Sequence, residues 1–198
     1  KNSKGIVLIY SQFIDGGCVP LALALEEMGI TRYHKNKSLF KNKPTEDVDA
    51  ITLEPYGETK ENIKFFPAKY AMITGDSFLS PNNKSELKAC TDSENINGEI
   101  VKVIIISKAG SEGLDFKNIR QVHILEPWYN FMRTSQTIGR AIRNLSHCDL
   151  PYIERNVQIF LYATELQENR YEAIDLYMYR LAEKKGIKIG KISRLLKE

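Results

Sequence analysis

Short, almost wholly aliphatic runs constrain the fold of this chain more than any other feature of its sequence. In Gly5–Tyr10 and Val101–Ile106 the only charged side chain is Lys102. Such runs are typical of strands that are buried on both faces of a parallel sheet. Runs at 69–73, 121–125 and 156–162 predict three further strands.

Segments with helical spacing lie between these runs. Apolar residues recur at helical intervals over Pro20–Met28, and Gly29 is predicted to end that helix. A second helix is predicted from Ser80, as its N-cap, to Cys90, and a third over Tyr129–Leu145. Strands that alternate with helices indicate βαβ units, so we predict an α/β fold with a parallel sheet flanked by helices.

Two segments interrupt the alternation and set the predicted domain organisation. Thr31–Pro67 is polar and rich in lysine, so we predict an insertion at about 31–67 that has local structure or is disordered. Residues 166–198 are predicted to form a helical extension beyond the sheet, with breaks at Gly186 and Gly190 that divide it into two helices. The sheet domain is therefore expected to span residues 1–165.

The composition is that of a globular protein, because 42% of the 198 residues are hydrophobic and 27% are charged. The net charge of +3 permits contact with nucleic acid but does not predict it. No run is long and apolar enough to span a membrane, and no signal peptide opens the chain. Because the chain starts with Lys1 rather than methionine, we expect it to be part of a longer protein.

The cysteines indicate an intracellular, reduced compartment and no metal site. Cys18, Cys90 and Cys148 are widely spaced and odd in number, which does not fit a disulfide framework. His147 and Asp149 flank Cys148, but no second pair of ligands stands at the spacing of a zinc site, so no bound metal is expected.

A loop with two glycines follows the strand predicted at 101–106. Gly110 and Gly113 are three residues apart, which lets the backbone approach a ligand. The Ser107 hydroxyl is suited to bond a phosphate oxygen, and Asp115 is suited to accept from a ribose hydroxyl or an arginine. Taken alone, an ordinary turn explains this loop equally well.

Two arginines stand on the helix predicted over 129–145. Arg140 and Arg143 are three residues apart, which places them on one helical face, and Gln136 lies one turn earlier. Two guanidinium groups on one face suit phosphate oxygens.

A solvated basic helix face is the alternative interpretation of these arginines. Ile138 and Ile142 argue against it, because they mark the opposite face as buried. Gly139 also argues against it, since glycine within a helix costs about 1 kcal/mol relative to alanine and so usually has a reason, such as close packing or ligand approach.

These two motifs resemble motifs V and VI of superfamily 2 helicases. They occur in the same order along the chain, and a strand and Glu126-Pro127-Trp128 lie between them. Tyr10–Phe13 resembles motif IV of that family, and Ile73–Asp76 resembles the strand-glycine segment that follows it. Four ordered motifs are more specific than one. The resemblance covers about residues 5–162 and implies a RecA-like parallel sheet, the C-terminal domain of such a helicase.

The resemblance also implies how the chain takes part in catalysis. In this family ATP binds between two RecA-like lobes, and the first lobe holds the Walker A and Walker B motifs. This sequence contains neither G-x-x-x-x-G-K-[ST] nor D-E-x-[DH], so the isolated chain is expected to be inactive. ATP and Mg²⁺ are expected to be held mainly by the N-terminal lobe of the same parent chain.

Individual residues take their implied roles from the aligned motifs. Arg143 aligns with the arginine finger that reaches the γ-phosphate, and Arg140 with its partner arginine. Nucleotide contacts are implied for Gln136, Gly139, Gly113 and Asp115. Contacts with the nucleic-acid backbone are implied for Ser11, Gln12, Ser107 and Lys108. The sequence departs from the commoner family pattern in having Ser107 where threonine is usual and Gln136 in place of histidine.

The chain is also similar to the helicase-type early-transcription-factor ATPases of large cytoplasmic DNA viruses, the poxvirus-like group. The similar residues are 107–113, 121–127, 138–143, 146–147, 149–151, 174–177 and 180–185. This resemblance implies DNA or RNA and the transcription machinery as partners, with no membrane. It also implies a location in the host cytoplasm or the virion.

Other functions compete with an ATPase lobe. A catalytically silent RecA-like scaffold in a transcription complex would not need two phosphate-facing arginines. A Rossmann-like enzyme would need G-x-G-x-x-G after the first strand, and that motif is missing. Basic and aromatic residues also mix over Arg32–Lys43, where a solvated loop is the preferred interpretation and a phosphate-tracking surface is the alternative.

Overall fold

Six parallel strands form one sheet in the computed structural model, which describes residues 4–34, 38–58, 64–108, 114–166 and 171–197. In chain order they are β1 (Ile6–Tyr10), β2 (Thr31–Arg32), β3 (Lys69–Ile73), β4 (Val103–Ile106), β5 (Ile119–Ile124) and β6 (Gln158–Leu161). Across the sheet the order is β2-β3-β4-β1-β5-β6, with every neighbouring pair parallel. The predicted α/β fold with a parallel, RecA-like sheet is confirmed.

Helices cover both faces of the sheet. They are α1 (Val19–Glu27), α2 (Asn83–Cys90), α3 (Phe131–Ala141) and α4 (Ile174–Leu195). Residues of α2 and α3 share one core with alternate residues of β1, namely Ile6, Leu8, Tyr10, Ala89, Cys90 and Ala141. The other residues of β1 share the second core with α1 and the residue before it, namely Val7, Ile9, Cys18, Ala22 and Leu25. Among the described residues, no helix combines the length and hydrophobicity needed to cross a membrane.

The continuous apolar character of β1 follows from its central position. β1 pairs with β4 on one side and β5 on the other, and all five of its residues are buried. Because both faces are covered, alternation of polar and apolar residues would place polar groups in one of the two cores. Burial of each aliphatic side chain contributes about 1.5–3 kcal/mol.

Part of the predicted insertion is ordered around a buried aspartate. The carboxylate of Asp49 accepts hydrogen bonds from the backbone N–H groups of Ile51 (2.8 Å), Thr52 (2.9 Å) and Phe66 (2.8 Å). Asp49 also pairs with Pro67 in an isolated antiparallel bridge. Local structure in this segment, one of the two predicted states, is therefore present.

The segment Arg32–Lys43 was interpreted as a solvated loop, and Arg32 does not fit that interpretation. It lies in β2, a two-residue strand that the sequence did not reveal, and its side chain is 1% exposed. Its guanidinium donates to the Leu79 carbonyl (2.5 Å) and lies 3.8 Å from Glu86. Lys35 and Lys37, also part of the mixed cluster, lie outside the described residues.

The second predicted helix starts two residues later than expected. Ser80 is not its N-cap, because the Ser80 hydroxyl donates to the Met72 carbonyl (2.6 Å) and accepts from the Thr74 N–H (3.2 Å). Asn82 takes the capping position, without a side-chain cap hydrogen bond.

The C-terminal region is one helix rather than two. α4 runs unbroken from Ile174 to Leu195 with Gly186 and Gly190 inside it, so the predicted breaks at these glycines are wrong. The Tyr179 hydroxyl at the N-terminal half of α4 donates to the Tyr162 carbonyl (3.1 Å), which ties the helix to the end of β6. The division into a domain at 1–165 and an extension at 166–198 stays a prediction.

Candidate functional site

Helix α3 starts at the edge of the sheet where the parallel strands end. Asn130 caps it, because the Asn130 side chain accepts from the Met132 N–H (3.1 Å). Thr134, Thr137 and Ala141 face the sheet and are buried. The opposite side of α3 is therefore presented at the carboxyl ends of the strands, where α/β proteins bind their ligands.

The C-terminal end of α3 corrects the predicted geometry of the two arginines. The helix ends at Ala141, and Ile142 is extended (φ −113°, ψ 95°), so Arg143 lies in the turn beyond it rather than on the same helical face as Arg140. Ile142 is 45% exposed and does not mark a buried face.

The turn that carries Arg143 is fixed by Ser146 and His147. The Ser146 hydroxyl accepts from the Arg143 N–H (3.2 Å) and lies 2.8 Å from His147 Nδ1. His147 Nε2 is 2.7 Å from the Ile119 carbonyl at the start of β5. The backbone at Arg143 is therefore connected to the sheet.

Arg143 and Asp115 bring the two predicted motifs into contact. A guanidinium nitrogen of Arg143 donates to the Asp115 carboxylate at 2.7 Å, and its Nε donates to the Gly139 carbonyl at 3.1 Å. Arg143 remains 47% exposed. Asp115 was expected to accept from a ribose hydroxyl or an arginine, and in this structure it accepts from Arg143. Gly113, the other candidate from the same loop, lies outside the described residues.

A cleft of about 220 Å³ lies beside this contact. It is lined by Tyr10, Lys108, Trp128, Asn130, Met132, Arg133, Gln136, Thr137 and Arg140. Gln136, Arg140 and Lys108 were predicted from sequence, and the fold brings them together here, whereas Arg143 and Asp115 lie outside the lining. None of the described lining residues is acidic.

Arg133 is a cleft residue that the sequence analysis missed. Its guanidinium stacks over the ring of Trp128, 3.5 Å from the ring centroid, and donates to Gln12 Oε1 at 2.8 Å. Arg133 stands three residues before Gln136 and seven before Arg140, which is the spacing of one helical face. That spacing was the available signal for this residue.

Tyr10 lines the cleft from the end of β1. Its side chain is 3% exposed, and its hydroxyl makes no hydrogen bond of normal geometry with the described residues. Burial raises the pKa of Tyr10, although the neighbouring positive charge of Arg133 acts in the opposite direction.

The candidate nucleic-acid contacts divide into exposed and buried residues. Lys108 is exposed, and Gln12 is partly exposed beside Arg133. Ser11 and Ser107 are buried, and the Ser11 hydroxyl donates to the Glu126 carboxylate. Glu126 also accepts from the Gln12 N–H (3.2 Å), so this unpredicted carboxylate organises the loop after β1. Direct contact of either serine with nucleic acid stays a prediction.

Packing among the described residues does not explain Gly139. A Cβ atom placed on Gly139 would meet no other atom within 4 Å among the described residues. The space beside this turn of α3 is therefore open, and close approach by a ligand or another domain stays a prediction.

The charges of the cleft fit a phosphate-bearing ligand better than a metal ion. Guanidinium and ammonium groups bind phosphate oxygens. In the part of the chain that the structure describes, no group of three or more His, Cys, Asp or Glu side chains is placed to hold a metal ion. The described residues of the cleft therefore offer cationic groups that suit phosphate oxygens.

Comparison with known proteins gives matches over nearly the whole chain. It is 31% identical over 194 residues to the "Putative helicase 087L" of Invertebrate iridescent virus 3. It is 34% identical over 182 residues to the "Termination factor NPH-I homolog" of African swine fever virus. These matches cover 96% and 88% of this chain but only 17% and 26% of the two viral proteins. The chain thus spans only about a sixth of one of these relatives and about a quarter of the other.

A solved structure and a family profile agree with these matches. The C-terminal part of the Fun30 ATPase domain superposes with a TM-score of 0.55 and 15% sequence identity, covering 90% of this chain and 39% of that one. At this identity the similarity shows the fold alone. The profile described as "Helicase conserved C-terminal domain" matches residues 45–145, just over half of the chain. This chain therefore belongs to the helicase conserved C-terminal domain family, with viral helicases among its relatives.

Proposed function

We propose that this chain is the C-terminal lobe of a nucleic-acid-dependent ATPase of superfamily 2, with Arg143 as its arginine finger. The contact between Arg143 and Asp115 carries the proposal, because it joins the two candidate motifs at an exposed position (2.7 Å). The N-terminal lobe of the parent protein would hold most of the ATP and the Mg²⁺.

The hydrogen bonds of Arg143 support this role. Asp115 and the Gly139 carbonyl each accept from the guanidinium and restrict its orientation, while the side chain stays half exposed. A guanidinium held in this way loses little rotational freedom when it meets an anion. Arg140 is positioned by a hydrogen bond to the Leu114 carbonyl (3.2 Å) and would act beside it from the cleft.

Lys108 and Gln12 are the proposed parts of the nucleic-acid track. Lys108 lines the cleft, and Gln12 accepts from Arg133 on α3, the helix that also carries Arg140. Closure of the two lobes on a nucleotide would therefore act on both sets of residues at once. A role in transcription is supported by the name of the African swine fever virus relative, a termination factor homologue.

The test is the nucleic-acid-stimulated ATPase activity of the longer parent protein with and without Arg143→Ala. An arginine finger contributes about 10³–10⁵ in rate, so we expect turnover to fall by at least about two orders of magnitude. Arg180→Ala is the matched control, since Arg180 is also a half-exposed arginine bound to a carboxylate, Glu172 at 2.5 Å, but it lies on α4.

The rival function is a catalytically silent RecA-like scaffold in a transcription complex. A scaffold role fits the length of the viral relatives, which are several times longer than this chain. The scaffold function replaces the proposed ATPase function in either of two cases. The first is that Arg143→Ala leaves turnover within about twofold of the Arg180→Ala control, and the second is that the parent protein has no ATPase activity.

A further inference from the structure

The turn after α3 is bonded at two points to the segment that leads into β5. The backbone N–H of Asn118 donates to the Ser146 carbonyl (2.9 Å), and His147 Nε2 lies 2.7 Å from the Ile119 carbonyl. The two contacts involve consecutive residues on each side. The turn is therefore joined to this segment by its backbone and by a side chain.

The same segment carries the partner of the proposed arginine finger. Asp115, which accepts from Arg143 at 2.7 Å, stands four residues before Ile119. Arg143 is thus held at two places, at its guanidinium by Asp115 and at its backbone N–H by the Ser146 hydroxyl (3.2 Å). His147 connects the second of these contacts to the segment that provides the first.

The hydrogen bonds fix the direction of each donor when the His147 ring is neutral. A carbonyl oxygen only accepts, so His147 Nε2 carries the hydrogen that it donates to Ile119. Nδ1 is then an acceptor for the Ser146 hydroxyl at 2.8 Å, which leaves the lone pairs of that oxygen for the Arg143 N–H. A continuous series of hydrogen bonds runs from the finger through Ser146 and His147 to the sheet.

The conformation of the turn depends on these polar contacts. Residues 142–145 are all exposed, so apolar packing contributes little to its position. Leu145 has a φ of 62°, in the left-handed region that is strained for a leucine. Ser146, by contrast, is buried, and His147 is partly buried. These two residues are therefore the ones that hold an exposed and strained turn against the start of β5.

We propose that His147 is a positioning residue for the arginine finger, which it holds in place through Ser146. This role rests on the proposed function of Arg143, and it gives His147 no contact of its own with nucleotide or nucleic acid. A guanidinium that reaches a phosphoryl group needs its backbone at a fixed distance, since a displacement of about 1 Å can lower a rate about 100-fold. Without the His147 ring the turn is free to move away from β5, even though Asp115 still accepts from the guanidinium.

The test is the nucleic-acid-stimulated ATPase activity of the parent protein with His147→Ala. We expect kcat to fall about tenfold to a hundredfold. KM for ATP and the affinity for nucleic acid should change less than about twofold, because a finger acts on the transition state rather than on the bound substrate. His147→Gln should regain most of the lost turnover, since its amide nitrogen can donate to the Ile119 carbonyl in place of Nε2.

A double-mutant cycle separates positioning of the finger from support of the fold. In a parent protein that already carries Arg143→Ala there is no finger to position, so adding His147→Ala should change turnover less than about twofold. Ser146→Ala, which removes only a hydroxyl, should show the same selective loss of kcat as His147→Ala. It provides the measurement if His147→Ala does not fold.

His123→Ala is the matched control for lost stability. His123 is also a partly buried histidine that joins two elements, because its Nδ1 lies 2.8 Å from the Tyr162 hydroxyl after β6. Its neighbours Val122 and Ile124 lie in the core beneath α3, so the His123 side chain is on the other face of the sheet. We expect thermal unfolding at lower temperature in both histidine variants but a loss of turnover in His147→Ala alone.

The outcomes distinguish this role from the proposed function. If Arg143→Ala itself has little effect on turnover, the finger and its positioning residue are both overturned. If Arg143→Ala abolishes turnover but His147→Ala leaves kcat unchanged, only the role of His147 is overturned. An equal fall of turnover with and without Arg143 also overturns it, because His147 then supports the fold and not the finger.

Discussion

Glu26 shows how a single buried side chain organises the segment after β2. Its carboxylate is buried and accepts from the Tyr70 hydroxyl (2.7 Å), the Ser38 hydroxyl (2.7 Å) and the backbone N–H groups of Leu39 and Phe40 (both 2.9 Å). Burial alone would raise the pKa of Glu26, but these hydrogen bonds together hold it below its ordinary value. The fold therefore stabilises the ionised form of the Glu26 carboxyl group.

Glu26→Ala is predicted to destabilise the chain by about 2–4 kcal/mol, because it leaves a buried tyrosine hydroxyl and two backbone N–H groups without an acceptor. Urea unfolding at neutral pH measures the loss. Glu27→Ala is the matched control, since Glu27 is the next residue of α1 but is exposed, and its effect should stay within about 0.5 kcal/mol. Equal effects of the two substitutions would contradict the role given to Glu26.

Single residues were predictable from sequence where their chemistry allows few partners. Asp115 accepts from an arginine as expected, because a carboxylate near a guanidinium has a strong preference for it. Ser80 and Arg32 were wrongly placed because their partners, the carbonyls of Met72 and Leu79, come from parts of the chain whose proximity only the fold creates. Tyr10 was missed for the same reason, since a tyrosine that ends an apolar strand gives no sign that it lines a cleft.

Among the elements, α3 carries most of the candidate site, and its length was the main error. No glycine or proline other than Gly139 interrupts Tyr129–Leu145, yet the helix ends at Ala141 because Ser146 and His147 bind the following turn to the sheet. Those hydrogen bonds depend on the position of β5 and could not be read from helical periodicity. The consequence for the site is that Arg143 meets Asp115 while Arg140 faces the cleft.

Gly139→Ala is predicted to raise the stability of the chain and to lower the ATPase activity of the parent protein. A Cβ atom at Gly139 meets open space, so alanine should stabilise the isolated chain by about 1 kcal/mol, the ordinary helix preference. If another lobe or a nucleotide approaches this turn of α3, the same methyl group should lower the ATPase activity of the parent protein. Thermal unfolding of the chain and steady-state ATPase of the parent give the two readings.

Gly190→Ala is the control for that substitution, because a Cβ at Gly190 also meets open space but lies on α4. We expect it to stabilise the chain by a similar amount and to leave turnover unchanged. Full activity of Gly139→Ala in the parent protein would show that nothing closes on this turn.

The breaks predicted at the glycines of α4 did not occur, because a glycine weakens a helix by about 1 kcal/mol but does not end a helix of 22 residues.

At the scale of the whole molecule, the different exposure of the three cysteines shows how completely the helices cover the sheet. Cys18 and Cys90 are buried in the two cores, and Cys148 is exposed in the turn after α3. Burial raises the pKa of Cys18 to about 12 and that of Cys90 still further, so both thiols are protonated and shielded at neutral pH.

A thiol reagent such as Ellman's reagent is therefore predicted to modify one cysteine rapidly in the native chain and all three after unfolding. Cys148→Ser should abolish the rapid reaction. Rapid modification of a second thiol under native conditions would mean that one of the helix layers opens readily, which would contradict the packing described for α1 and α2.

The overall architecture was the most predictable level, because it follows from patterns repeated along the chain. Aliphatic runs such as Ile6–Tyr10 and Val103–Ile106 must be buried on both faces, and a parallel sheet with two helical layers is the common way to achieve this. β2 could not be predicted, since a strand of two residues with a buried arginine has no apolar pattern.

The order of the strands has a consequence for synthesis on the ribosome. Of the six strands of this sheet, β1 leaves the exit tunnel first and is a central one, and its neighbours β4 and β5 follow about a hundred residues later. Until Ile106 has been translated, the strongly aliphatic β1 has no partner on either side, and until Ile124 it lacks one of its two partners, so it is exposed to aggregation over that interval. Folding of this chain should therefore be a late, nearly all-or-none event during translation, and chaperones that recognise extended aliphatic segments should bind the nascent chain at residues 5–10 before that point.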